Sequence, residues 1–84
     1  MDTAIVEFRN ENTGYSEEIE VPLSITANDL IYALANAYAL GIEIGNEKGR
    51  YLSSENPIAF LRGNKKLEDF GIRNGSIIIF RRSR

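Results

Sequence analysis

Residues 57–84 read PIAFLRGNKKLEDFGIRNGSIIIFRRSR, and this stretch decides the fold. Its short apolar run at 58–61 predicts a strand and is followed by a turn that contains Gly. The LEDF sequence at 67–70 has the length of one tight helical turn, and an Asn-Gly pair then marks a second turn. The apolar residues within 76–82 predict the last strand. The stretch therefore predicts a strand, a turn, a helical turn, another turn and a closing strand.

The N-terminal residues predict a β-hairpin. Residues 3–9 and 15–21 both alternate between apolar and polar positions, which is the pattern of a strand with one buried face. The polar loop between them contains Gly14, which adopts positive φ at little cost. Two such strands around a short loop are typical of a hairpin. The positions predicted to face inward are Ala4, Val6, Phe8, Ile19 and Val21.

A helix is predicted after the hairpin, which Pro22 ends. Thr26 provides an N-cap, and Asp29 three residues later completes an approximate capping box. Residues 30–40 contain neither Pro nor Gly and are rich in Ala and Leu, so we expect them to form the helix, with Gly41 as its stop.

The order of these elements predicts the topology. A loop at 42–49 and a short strand near 51–54 connect the helix to the C-terminal stretch, which gives ββαβ(β)β over a single domain at 1–84. This order places one helix across one face of a mixed sheet of four or five strands, an α+β fold. The closing strand is expected beside the first strand and parallel to it, with the usual right-handed crossover.

The composition excludes most catalytic chemistry. The chain has no Cys and no His, so that thiolate nucleophiles, iron–sulfur clusters, His proton shuttles and most zinc sites are ruled out. No phosphate-binding Gly motif is present. The adjacent acids Glu17 and Glu18 are predicted on opposite strand faces, and Glu68 and Asp69 surround a tight turn. We therefore expect no enzyme activity, no cofactor, no metal and no small-molecule substrate.

The location is predicted by elimination. The first residues, MDTA, show no basic region followed by an apolar run, so no signal peptide is expected. No apolar run approaches the roughly 20 residues that span a bilayer. A cytoplasmic protein without membrane insertion is the simplest interpretation, and the absence of Cys agrees with a reducing compartment.

The charges are unevenly distributed although the net charge is only −2. Residues 1–30 hold seven acidic residues against Arg9, a balance of −6, whereas 60–84 hold seven basic residues against two acidic ones, a balance of +5. Two interpretations remain open: solvated faces that attract each other across the sheet, or a dipolar surface that orients a partner. The basic tail at 81–84 neutralises few phosphates, so nucleic acid is not expected as a partner.

The predicted helix supplies the first candidate surface. Residues 30–42 (LIYALANAYALGI) contain no charged side chain, although a helix on one sheet needs a single apolar stripe. That stripe is predicted to be Leu30, Leu34, Ala37 and Leu40. The remaining apolar residues either pack under the 42–49 loop or form a partner-binding face. On the second interpretation the candidate residues are Ile31, Tyr32 and Tyr38.

The closing strand supplies the second candidate surface. Its IIIF sequence at 77–80 shows no alternation, so that both faces of this strand are apolar. If Ile78 and Phe80 face the helix, the other two isoleucines emerge on the open face of the sheet beside the first strand. The candidate partner-binding residues here are Ile5, Ile77 and Ile79.

Residues 67–76 (LEDFGIRNGS) are similar to the corner that precedes the last strand in ubiquitin-like β-grasp domains. Together with the length, the ββαβββ order and the Ser83-Arg84 end in place of Gly-Gly, the chain resembles bacterial ubiquitin-like proteins of the YukD/EsaB type, which are associated with type VII secretion systems. The resemblance implies a cytosolic, non-conjugated protein that acts by binding components of the secretion machinery.

The resemblance leaves two other functions to consider. One is a regulatory β-grasp subunit that docks on an enzyme complex through its sheet or its helix. The other is a conjugated modifier or sulfur carrier, which requires a flexible Gly-Gly arm. Gly75 is the last Gly of the chain and precedes the closing strand, so that trimming does not supply such an arm.

Overall fold

The computed structural model describes residues 2–38 and 50–82. Their elements are, in chain order, strands β1 (Thr3–Asn10) and β2 (Tyr15–Pro22), helix α1 (Ala27–Tyr38), strands β3 (Arg50–Glu55) and β4 (Ala59–Leu61), a 3-10 turn (Leu67–Phe70) and strand β5 (Ile77–Arg82). The predicted order is confirmed, and the helix starts at Ala27, directly after the predicted N-cap Thr26. The predicted helix stop at Gly41 and the loop at 42–49 lie outside the described residues.

The strands form one five-stranded sheet in the order β2-β1-β5-β3-β4. Strand β5 pairs with β1 in parallel, as the sequence predicts, and the other pairs are antiparallel. The central position of β5 agrees with its continuous apolar sequence, because Ile78, Ile79 and Phe80 are buried although they point to both faces of the sheet. The mixed sheet with one helix on one face is the predicted α+β arrangement.

Helix α1 packs on the sheet through a stripe that differs from the predicted one. Its buried residues are Ala27, Leu30, Ile31 and Leu34. Their spacing is that of one helix face. The expectation that Ala37 faces the sheet is wrong, since Ala37 is exposed. The helix begins at Ala27 and places Ile31 one turn later on the same face, while Tyr38 takes the place expected for Ala37 and packs against the core.

The first turn of α1 is held by hydrogen bonds within the chain. Asp29 N donates to Thr26 Oγ1 at 3.1 Å, and Thr26 N donates to Asp29 Oδ2 at 3.4 Å, which confirms the capping box. The amides of Ala27 and Asn28 donate to carbonyl oxygens of the segment at 63–65, each at 3.0 Å. These four amides are thus satisfied, and the helix start is fixed against the turn before Leu67–Phe70.

A buried hydroxyl ties two turns together at one end of the sheet. Ser76 is fully buried, and its Oγ donates to the Asn56 carbonyl at 2.7 Å and accepts from Arg73 N at 3.0 Å. Arg73 Nη2 also donates to Asn56 Oδ1 at 3.0 Å. The turn between β3 and β4 is therefore joined directly to the turn that precedes β5.

Candidate interaction surfaces

The described residues contain neither a cluster of metal-binding side chains nor a helix that could span a bilayer. Within residues 2–38 and 50–82, no group of three or more His, Cys, Asp or Glu could hold a metal ion. In the same part of the chain, no helix is long and apolar enough to cross a bilayer. Glu17 lies opposite Phe8 and Glu18 opposite Glu7, so that the adjacent acids point to opposite faces as predicted.

The predicted surface on the helix is reduced to one residue. Ile31 is only 8% exposed and belongs to the core, so the expectation that it contacts a partner is corrected. Tyr32 is 40% exposed and remains available. Tyr38 is half-buried, and its ring stacks on that of Phe8 with 4.7 Å between the ring centroids. Tyr38 therefore has a structural contact that the sequence did not indicate.

Tyr38 belongs to a cluster of aromatic and acidic side chains at the β2 edge. Its ring lies 5.8 Å from the Tyr15 ring, and both hydroxyls donate to Glu17 Oε1. Burial raises the pKa of Tyr38, and the charge of Glu17 adds to this effect. The hydrogen bond to Glu17 is the main cause that raises the pKa of Tyr15. Both hydroxyls therefore lose their protons only at a pH above the usual pKa of Tyr.

Replacing the two helix tyrosines separates a structural role from a surface role. We expect Tyr38→Ala to lower the free energy of unfolding by about 1 to 2 kcal/mol, since it removes a half-buried ring from the core edge. Tyr32→Ala is expected to change it by less than about 0.5 kcal/mol. Urea denaturation followed by circular dichroism measures both values. Equal effects at the two positions would contradict this assignment.

The side of the sheet opposite the helix, called here the open face, carries the second predicted surface. Ile5 is 44% exposed there and Ile77 is half-buried. The expectation that Ile79 is exposed is wrong, because Ile79 is only 2% exposed. Its cross-strand neighbours are Arg9 and Ser53. Because Ile79 lies on the central strand, side chains on both sides cover it, and the alkyl stem of Arg is well suited to that role.

Two exposed apolar residues were missed by the sequence analysis. Phe60 is 67% exposed and lies opposite Ser53, which places it on the open face in the same row as Ile79. Ile58 is 89% exposed in the turn between β3 and β4. The exposure of Phe60 could have been predicted only from its place between Ala59 and Leu61, which point to the other face of the sheet. A strand of three residues is too short for this alternation to be recognised in the sequence.

The charged side chains of the open face are mainly acidic. The strand registers place Glu7, Glu18, Glu20 and Glu55 there, together with Arg9 and Arg81. Arg9 Nη2 binds Glu7 Oε2 at 2.8 Å. That hydrogen bond raises the pKa of Arg9, and the charges of Glu55 and Glu11 add to the effect, so that one guanidinium serves several carboxylates.

One ion pair joins the acidic N-terminal part to the basic C-terminal part. Arg81 Nη2 contacts Glu11 Oε1 at 2.7 Å, and the two side chains are 52% and 35% exposed. An exposed pair of this kind stabilises by only about 0–1 kcal/mol. The contact is of the type expected for oppositely charged parts of the chain that attract each other, and the register places its Arg81 on the open face.

Comparison with known proteins supports the fold. No family model matches the chain, and no curated protein matches it in sequence. Among solved structures, the C-terminal ubiquitin-like domain of mouse tubulin-specific chaperone e has a TM-score of 0.76 at 18% identity, covering 98% of this chain and 88% of that one. The ubiquitin-like domain of yeast Ddi1 has a TM-score of 0.72 at 22% identity, with coverage of 95% and 88%.

Tubulin-binding cofactor B of Trypanosoma brucei is also similar, with a TM-score of 0.77 at 11% identity over 99% of this chain and 98% of that one. These likenesses span nearly the whole chain. They confirm the predicted ubiquitin-like β-grasp fold.

Proposed function

We propose that this protein is a non-catalytic, non-conjugated protein-interaction module of the cytoplasm. The observation that supports the proposal is the set of large apolar side chains left in solvent, with Ile58 at 89%, Phe60 at 67% and Ile5 at 44% exposure. Ile58 and Phe60 lie two residues apart at the β4 edge, and exposed aromatic and aliphatic side chains are enriched at protein interfaces. Similar folds in solved structures include domains of proteins whose names describe tubulin binding and tubulin-specific chaperone function.

The more specific proposal is an accessory or regulatory component of a type VII-like secretion system, with components of that system as partners. Its support is the resemblance of residues 67–76 to the corner of YukD/EsaB-type proteins, together with the length and element order of the chain. In the structure this corner consists of the 3-10 turn, Gly71 in the left-handed conformation and the turn at Asn74 and Gly75. The docking of a regulatory subunit on an enzyme complex is the competing function.

A deletion strain and an affinity-tagged chain test the secretion proposal together. We expect deletion to reduce export of small helical substrates, a plasmid copy to restore it, and the tagged protein to co-purify with the membrane ATPase of the system. Genes for that ATPase and for such substrates are expected nearby. Unchanged export together with a stable enzyme complex would support the competing function. High-mass covalent adducts of the tagged chain would contradict the non-conjugated assignment.

A further inference from the structure

Four neighbouring strands place three carboxylates in a single row on the open face. Glu18 lies opposite Glu7, Glu7 lies beside Ile77, and Ile77 lies opposite Glu55. With about 4.8 Å between strands, the row Glu18–Glu7–Ile77–Glu55 spans roughly 15 Å. Glu20 adds a fourth carboxylate in the adjacent row, opposite Ile5.

This row opposes the stability of the sheet. Like charges that face each other directly across antiparallel strands, as Glu7 and Glu18 do, are destabilising. Arg9 binds Glu7 at 2.8 Å, and Arg81, which the register places on the same face, pairs with Glu11 at 2.7 Å, so that two cations stand against the four carboxylates of the paired strands. Glu18 and Glu55 are both exposed and form the two ends of the row. A cation arriving from outside would relieve the repulsion, so this face is complementary to a positively charged partner.

Apolar side chains lie next to these acids, with Ile5 and Ile77 between them and Phe60, on β4, beyond Glu55. Ile77 is flanked by Glu7 and Glu55, Ile5 is 44% exposed next to Glu20, and Phe60 is 67% exposed at the β4 side. Charged rims steer and orient a partner, while the apolar centre supplies contact area. The pattern is that of an apolar anchor site bordered by negative charge.

We propose that the open face binds a cationic amphipathic segment of another protein, in which different apolar side chains contact Ile77 and Phe60 and flanking Lys or Arg residues pair with Glu18 and Glu55. The proposal rests on the proposed function as an interaction module and adds the chemistry of the partner. Phosphate-rich partners are disfavoured at this face by the same carboxylates. The experiment must also distinguish this partner from a second copy of the chain, which is the other candidate occupant of the open face.

The probe is a fluorescein-labelled Leu/Lys peptide of about 18 residues, which forms five helical turns with one apolar face. A Leu/Glu peptide with the same apolar face is its control. We expect the Lys peptide to bind by fluorescence anisotropy at low salt and the Glu peptide to show no binding. In ¹⁵N spectra the amide shifts are expected to change at Ile5, Ile77 and Phe60 rather than along helix α1.

Matched variants locate the binding. The double variant Glu18→Lys with Glu55→Lys is expected to weaken binding of the Lys peptide by about 10-fold or more. Phe60→Ser is expected to weaken it by a similar factor. Glu68→Lys, an exposed acid on the 3-10 turn away from this face, is the control and should stay within about twofold of the wild type. The double variant removes like-charge repulsion, so its melting temperature should not fall.

Several results would overturn the proposal. Equal binding of the two peptides, unchanged affinity in the double variant, an equal loss in Glu68→Lys, or shift changes confined to the helix would each do so. A dimer in sedimentation experiments that disappears in the double variant would identify a second copy as the occupant. If a secretion component co-purifies equally with wild type and the double variant, the open-face proposal fails while the interaction module stands. If wild type captures no component, the secretion proposal fails whatever the peptide does.

Discussion

Replacing Phe8 with Ala is expected to lower the free energy of unfolding by about 3 to 5 kcal/mol. Phe8 is fully buried in β1, which pairs with β2 on one side and β5 on the other. Removing the ring leaves a cavity under the helix and takes away the stacking partner of Tyr38, 4.7 Å away between centroids. A domain of this size has a total stability of about 5 to 10 kcal/mol, so little of it would remain.

Urea denaturation monitored by circular dichroism gives the value directly. Phe8→Leu is the matched control, because it keeps most of the volume and is expected to cost less than about 1.5 kcal/mol. Since the Tyr38 ring needs Phe8 beneath it, the effects of Phe8→Ala and Tyr38→Ala should be less than additive in the double variant. A loss below about 1 kcal/mol for Phe8→Ala would show that the site collapses or that the ring is not in the core.

The core residues of β1 could be predicted from the sequence because their signal is local. Alternation at 3–9 identified Ala4, Val6 and Phe8, and all three are buried. The parallel pairing of β5 with β1 also followed from the element order alone. These features depend on short-range patterning and on the few topologies that one helix and a mixed sheet allow.

The exposure of the candidate surface residues could not be predicted from the neighbouring sequence. Ile79 was placed on the correct face, but its exposure is set by Arg9 and Ser53, which lie 70 and 26 positions away in the chain and become neighbours only through the strand register. Ile31 was assigned to the surface because the apolar stripe was traced from Leu30 through Leu34 to Ala37, whereas the buried face also includes Ala27 and Ile31. Both errors arise where long-range pairing or the width of the apolar helix face decides burial.

The acidic row illustrates the same point for charge. The count of acids in residues 1–30 indicated a negative N-terminal part, but it could not show that Glu7 faces Glu18 or that Glu55 completes the row from β3. The charge balance of a segment gives its net charge but not the positions of the charges in space. The register converts it into a surface of defined geometry, and it is this geometry that favours a cationic partner.

Replacing Ser76 with Ala is expected to lower the free energy of unfolding by about 1 to 3 kcal/mol, a large effect for the loss of one oxygen atom. The Ser76 hydroxyl is fully buried and serves two main-chain groups, the Asn56 carbonyl at 2.7 Å and the Arg73 amide at 3.0 Å. Ala removes the bridge without removing its partners, and the net contribution of each of the two hydrogen bonds is about 0.5 to 1.5 kcal/mol.

Ser54→Ala is the matched control for this substitution. Ser54 is also buried, at 2% exposure, but its Oγ makes one main-chain bond, to the Pro57 carbonyl at 2.7 Å. We therefore expect about half the loss seen for Ser76→Ala, again from urea denaturation. Because Ser76 holds the turn that carries Ile58, its variant should also increase amide hydrogen exchange in that turn. Equal losses for the two serines would mean that the two-partner bridge adds nothing beyond a single buried hydrogen bond.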